Sequence, residues 1–102
     1  MSFTEFEMKV IQWAEARRII PNSTPMAQAI KTHEELGELL SALHRNDRAE
    51  IEDAYADILV TLIIGATLAD CDLTTCLAKG YEVIKNRTGY LREDGVFVKD
   101  QK

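Results

Sequence analysis

The stretch from Ile58 to Ala69 constrains this chain most. It runs for about a dozen residues without a charged side chain and follows directly on the acid-rich segment Glu50-Ile-Glu-Asp-Ala-Tyr-Ala-Asp57. A helix that is apolar on every side has to be enclosed by other elements. At about a dozen residues it is also shorter than the roughly 20 needed to cross a bilayer. The expectation is the central helix of a small helical domain, with no membrane as partner. A chain of 102 residues reads as a single domain, 1–102. A domain of that size buries roughly 65% of its unfolded-chain surface, so its core is modest, and any spare apolar helix face favours self-association.

Caps and periodicity predict three further helices. Ser2 with Glu5 forms a capping-box pattern, after which Phe3, Phe6, Val10, Trp13 and Arg17 recur at helical spacing, giving a first helix to about Arg18. Pro21 to Pro25 is a loop in which Thr24 caps a second helix and Pro25 takes its first position. That helix reaches about His44 and carries an apolar stripe of Met26, Ile30, Leu36, Leu40 and Leu43, expected to face the core. Asp47 and Glu50 open the third helix, about Arg48 to Ala69. Asp72 caps a fourth, which carries Leu73, Leu77, Tyr81 and Ile84 and ends near Gly89. Asp94-Gly95 signals a turn, and Val96 to Val98 a short extended tail. The fold class is all-α, bundle-like, with antiparallel neighbours across short loops.

Charge excludes one class of partner. With 17 acids against 12 bases and a net charge of −5, the chain lacks the basic surface that nucleic-acid binding needs. An acidic protein still binds an anionic nucleotide when a divalent cation lies between them. No basic-then-apolar leader opens the sequence. Cys71 and Cys76 form no CxxC pair, so they are expected to be reduced, partly buried thiols in a cytoplasmic protein.

The acids are not scattered. Glu34 and Glu38 are four apart, and Glu35 and Glu38 three apart, which puts them on one side of the second helix, bordering Ile30, Leu36, Leu39 and Leu40. On the third helix Asp53 and Asp57 are four apart and Glu50 and Asp53 three apart. Asp57 adjoins the apolar run, where an unpaired ionised carboxylate is costly and a dication would remove the cost. Helices packed at about 8–10 Å would let both acidic edges share one or two ions, and all-oxygen ligands suit Mg²⁺ or Mn²⁺. Spacing alone leaves the other reading open, an acid-rich solvated face. By the same standard His33 and His44 read as surface or helix-end residues, and Trp13 as a core residue.

Lys31-xx-Glu34-Glu35-xx-Glu38, followed by an acidic helix ending in Asp57-Ile-Leu-Val, resembles the MazG-like all-α nucleoside triphosphate pyrophosphohydrolases. That wider group includes dimeric dUTPases and phosphoribosyl-ATP pyrophosphohydrolase. Lys79-Gly-Tyr81-Glu-Val-Ile-Lys85-Asn86-Arg87 is similar to the group's last helix, and the likeness extends over about Trp13 to Val98. The resemblance implies Mg²⁺-dependent (Mn²⁺-compatible) hydrolysis of a (deoxy)nucleoside triphosphate to monophosphate and pyrophosphate, in the manner of nucleotide-pool house-cleaning. It implies metal ligands Glu34, Glu35, Glu38 and Asp57, with Glu35 or Glu38 orienting or deprotonating the water. Lys31, Lys85, Asn86 and Arg87 would contact substrate, with Trp13, Gln28 and Tyr55 as pocket residues. It further implies a homodimer or homotetramer with sites at subunit contacts. The chain departs from the pattern at Ala54, where the group places a Glu. Asp53 paired with Asp57 is the favoured substitute, and Glu50 with Asp53 the other. Two different functions stay in contention: a dUTPase or phosphoribosyl-ATP hydrolase, and a non-enzymatic helical oligomerisation module.

Overall fold

A computed structural model describes residues 1–101. Helices α1 (Phe3–Ala16), α2 (Pro25–Arg45), α3 (Arg48–Leu68) and α4 (Leu73–Ile84) are followed by strands β1 (Gly89–Leu91) and β2 (Phe97–Lys99). Each helix begins where its cap predicts. The Glu5 amide donates to Ser2 Oγ at 3.2 Å while the Ser2 amide donates to Glu5 Oε1 at 3.2 Å. Thr24, Asp47 and Asp72 each accept from the amide three residues on, at 3.0, 3.2 and 2.7 Å. Such a cap stabilises a helix by about 1 kcal/mol, because it satisfies an amide that has no partner inside the helix.

The ends depart from the sequence expectation. α1 stops at Ala16, short of Arg18, which takes the left-handed conformation at φ 62°. α4 stops at Ile84, not near Gly89. The expected extended tail is one strand of an antiparallel hairpin, with Tyr90 opposite Val98. β1 went unread because its three residues are too short to show a period. Gly89 is required there, since a Cβ would collide with the Val98 carbonyl.

α2 and α3 form the body of the molecule. Thr32 and Thr61 share a hydroxyl hydrogen bond of 2.7 Å, and the Gln28 Cβ lies where a Cβ on Gly65 would be only 3.3 Å away. Position numbers fall on one helix as they rise on the other, so the pair is antiparallel. Its seam is built from small or slender residues: Ala42 and Ala54 are buried, as is Leu39. The rest of the core is Ala14, Ile63 and Ile64.

One expectation fails in an informative way. The α2 stripe Met26, Ile30, Leu36, Leu40 and Leu43 does not face the core; every one of these side chains is exposed. The face turned to α3 carries Glu35, Leu39 and Ala42 instead. α4 buries no residue at all and leaves Leu77, Tyr81 and Ile84 in the open. Accordingly the chain exposes 7851 Å², whereas a monomeric globule of 11.5 kDa exposes about 5800 Å². Its radius of gyration of 16.0 Å likewise exceeds the roughly 13 Å of a self-contained domain of this length.

α4 turns away from α3 at 97° and makes no contact with α2 among the described residues. A buried carboxylate fastens it, beside a Thr4–Thr74 hydroxyl hydrogen bond of 3.3 Å. Glu7 of α1, 4% exposed, accepts from the Leu73 amide and from Thr74 Oγ1, both at 2.7 Å. A carboxylate at a helix N-terminus satisfies free amides and complements the helix dipole. Glu7→Ala removes two charge-assisted hydrogen bonds and should destabilise the fold by about 2–3 kcal/mol. Amide exchange should accelerate first in α4; urea unfolding with exchange mass spectrometry measures both. Among the described residues no single helix is long and apolar enough to cross a membrane.

Candidate metal centre

The Gln28·Gly65 and Thr32·Thr61 pairs set the α2–α3 register. One turn further along, that register places Glu35 beside Asp57, with Glu38 a turn beyond on the same face of α2. One oxygen from each of Glu35, Glu38 and Asp57 lies within 4.8 Å of the other two. Glu35 is buried, and Glu38 and Asp57 are exposed at the mouth of the cluster. Glu35 Oε1 is 3.3 Å from Lys31 Nζ, while Glu35 Oε2 is buried without a hydrogen-bond partner. A buried carboxylate oxygen without a donor costs free energy. A donor set of three carboxylates, one with an orphaned oxygen, fits a hard dication such as Mg²⁺ or Mn²⁺.

The proton inventory agrees with the geometry. The Glu38 carboxyl is held above the usual carboxylate range, first because it can hydrogen-bond to Glu35. The Glu35 charge, partial desolvation and the Asp57 charge act in the same sense, and Lys31 opposes them. A proton on Glu38 would give the Glu35 carboxylate the donor it lacks when both are ionised. Lys31 is shifted upward by its hydrogen bonds to Glu35 and Glu34. A carboxyl with a raised folded pKa contributes stability below its unfolded pKa and loses it as pH rises through the folded value. The metal-free protein should therefore lose stability as pH climbs through and above the ordinary carboxylate range, and Glu38→Gln should flatten that slope. Thermal unfolding in chelator across pH checks it. Metal binding should release this proton, so affinity rises over the same window.

The other expected site residues are placed as follows. Glu34 is exposed and pairs with Lys31 at 3.5 Å, outside the trio. Asp53 is exposed and also lies outside it. The position that turns toward α2 is Ala54, 5% exposed. Trp13 is not a core residue: it is 46% exposed. With Phe6, Val10, Asp57 and Val60 it lines a largely apolar pocket of about 370 Å³, so the pocket opens beside the acid cluster. Gln28 donates to Ser23 Oγ at 3.1 Å and lies about 10 Å along the helix from Glu35. Tyr55 is exposed and lines neither this pocket nor the trio.

Lys85 pairs with Glu82 at 2.7 Å. Asn86 and Arg87 line a separate pocket of about 310 Å³ against Thr88, Lys99 and Asp100. None of the three lines the pocket beside Asp57 or the one of Glu38. Sequence reasoning passed over Ser41 and Arg45, which share a pocket of about 250 Å³ with Glu38 and Glu50. Arg45 Nη1 donates to Ser41 Oγ at 3.0 Å. The available signal was helical spacing: Glu38, Ser41 and Arg45 recur at three and four residues.

Known proteins share this fold. The sequence model of the phosphoribosyl-ATP pyrophosphohydrolase family, which shares the MazG-like fold, matches residues 4–80. A similar relative is the 18.2 kDa protein of the rep–hol intergenic region of Haemophilus phage HP1 (strain HP1c1), 43% identical over 53 residues, covering 52% of this chain. The match spans 32% of that relative's length. In overall shape the chain is similar to the MazG-like pyrophosphohydrolase of cyanophage S-2L, with a TM-score of 0.77 over 100% of this chain and 96% of that one, at 22% identity. That structure holds dGDP and three catalytic Mn²⁺ ions per active site.

Proposed function

This chain belongs to the phosphoribosyl-ATP pyrophosphohydrolase family, and on that footing we propose that it is a Mg²⁺-dependent nucleoside triphosphate pyrophosphohydrolase. Its substrates are (deoxy)nucleoside triphosphates and its products the monophosphate and pyrophosphate, a house-cleaning role in the cytoplasm. The observation that carries this reading is the convergence of Glu35, Glu38 and Asp57 around an orphaned buried oxygen. The dGDP and Mn²⁺ of the cyanophage structure support a nucleotide and a hard dication here.

Glu35, Glu38 and Asp57 would hold the ion. When bound, a dication of this kind polarises a phosphoryl oxygen and lowers the pKa of coordinated water. Glu38, exposed at the mouth of the cluster, would be suited to take the proton from the attacking water as it adds at the α-phosphorus. Arg45, in the pocket it shares with Glu38, is placed to neutralise phosphate oxygens. The Trp13 pocket beside Asp57 offers an aromatic face to a base.

A second copy of the chain completes the picture. The exposed faces of α2 and α4, and the excess of surface over a monomeric globule, favour a homo-oligomer of at least two chains. Lys85, Asn86 and Arg87 then act on a site across the interface. Light scattering should return a dimer or a tetramer.

The family model is named for phosphoribosyl-ATP, which makes hydrolysis of that compound the second reading. Pyrophosphate release over a panel of ribo- and deoxyribonucleoside triphosphates, dUTP and phosphoribosyl-ATP, with Mg²⁺, separates the two. Turnover of phosphoribosyl-ATP alone would overturn the first reading. No turnover of any member, with no Mg²⁺ heat on titration, would leave a helical oligomerisation module.

A further inference from the structure

The joint between α3 and α4 carries two cysteines that the proposed chemistry does not use. α3 ends in a Schellman turn: the Cys71 amide donates to the Ala66 carbonyl at 2.9 Å, and the Asp70 amide to Thr67 at 3.1 Å. Asp70 takes the left-handed conformation at φ 62°. Two residues later α4 begins, with Asp72 as its N-cap. Cys71 is therefore the last residue of one helix-ending motif and the residue immediately before the next cap. An apolar residue just before an N-cap often packs on the fourth residue of the helix, an arrangement known as the hydrophobic staple. In α4 that fourth residue is Cys76.

Two thiols thus occupy the two positions of a staple, N′ and N4 about the Asp72 cap, and both are exposed, not partly buried as the sequence suggested. Their proximity has a chemical signature. Partial desolvation raises the Cys71 thiol pKa, and a hydrogen bond to Cys76 adds to it, together with the charges of Cys76, Asp72 and Asp70.

We infer that Cys71 and Cys76 form an oxidisable dithiol, closed to an intrachain disulfide by a low-molecular-weight disulfide and clamping the α3–α4 joint. The thiolate of Cys76 attacks one sulfur of the small disulfide, releasing one small thiol and leaving a mixed disulfide on Cys76. The thiolate of Cys71 then attacks the Cys76 sulfur and expels the second small thiol. The two cysteines lose two electrons, which reduce the small disulfide to two thiols, and the two cysteine protons end on those leaving groups. The clamp has mechanical leverage because α4 has no buried residue of its own. Its position rests on this joint and on the α1 contacts of Glu7 and Thr4. The inference is independent of the pyrophosphohydrolase reading.

The test uses the full chain and oxidised glutathione under native conditions, followed by maleimide and intact-mass analysis. The expected product has lost two hydrogens, carries neither glutathione nor maleimide, and yields a peptide linking Cys71 to Cys76. Cys71→Ser and Cys76→Ser should each stop at a stable glutathione adduct on the remaining thiol. Amide exchange from Asp70 to Cys76 should slow in the oxidised protein and return on reduction. Wild-type protein that retains glutathione or takes up maleimide, or that links only between chains, would overturn the dithiol. Unchanged exchange across the joint after intrachain oxidation would overturn the clamp.

Discussion

Asp57→Asn and Glu38→Gln should each lower pyrophosphate release by roughly 10²–10⁴-fold while leaving the helical fold intact. Both side chains stand at the exposed mouth of the cluster, so an isosteric amide removes charge without opening a cavity. Asp57 is the only acid that α3 contributes to the trio. Losing it leaves two carboxylates from one helix, a poor cage for an ion that prefers near-ideal octahedral geometry. Glu38 carries a second duty as proton acceptor, so its variant should lose turnover even where Mg²⁺ binding survives. Circular dichroism and single-turnover assays with saturating Mg²⁺ distinguish the two effects. Wild-type rates in both variants would remove the site.

Glu35→Gln should invert the stability order of the protein according to whether metal is present. In chelator the variant should be the more stable by about 1–3 kcal/mol, since an uncompensated buried carboxylate oxygen is replaced by a neutral group of the same shape. The lost Lys31–Glu35 pair weighs less. The Lys31 side chain is 54% exposed and that of Glu35 8%, so solvent screens the Lys31 end of the pair and its loss offsets only part of that gain. With Mg²⁺ at about a hundredfold its dissociation constant, the wild type gains about 2.7 kcal/mol, and the variant gains little because its innermost ligand is gone. Urea denaturation with and without Mg²⁺ measures both arms. A variant less stable than wild type in both media would show that Glu35 is satisfied within the protein and holds no ion.

Much of this was readable in the chain. Capping residues are local, so Ser2, Thr24, Asp47 and Asp72 marked every helix start correctly. Spacing put Glu35 and Glu38 on one edge and set Asp57 against the apolar run, because helical periodicity fixes which side chains share an edge; it was the family resemblance that implied these three as ligands. Helix ends were less legible. α1 ends at the left-handed Arg18 and α4 at a turn in which the Arg87 amide donates to the Ile84 carbonyl, so a backbone turn, not a residue type, ends each helix.

What the sequence by itself determined is the composition of each helix face: which residues lie together, and where each helix begins. Which face turns inward was decided only by the tertiary structure. On α2 the stripe of Met26, Ile30, Leu36, Leu40 and Leu43 faces out, while Glu35, Leu39 and Ala42 face in, where α3 meets them in a close seam that includes Ala54, Thr61 and Gly65. The same register set Ala54, and not Asp53, toward α2. Lys85, Asn86 and Arg87 stand apart from the trio of Glu35, Glu38 and Asp57, and periodicity could not say so, since it carries no information about the distance between two helices or about which chain covers an apolar face.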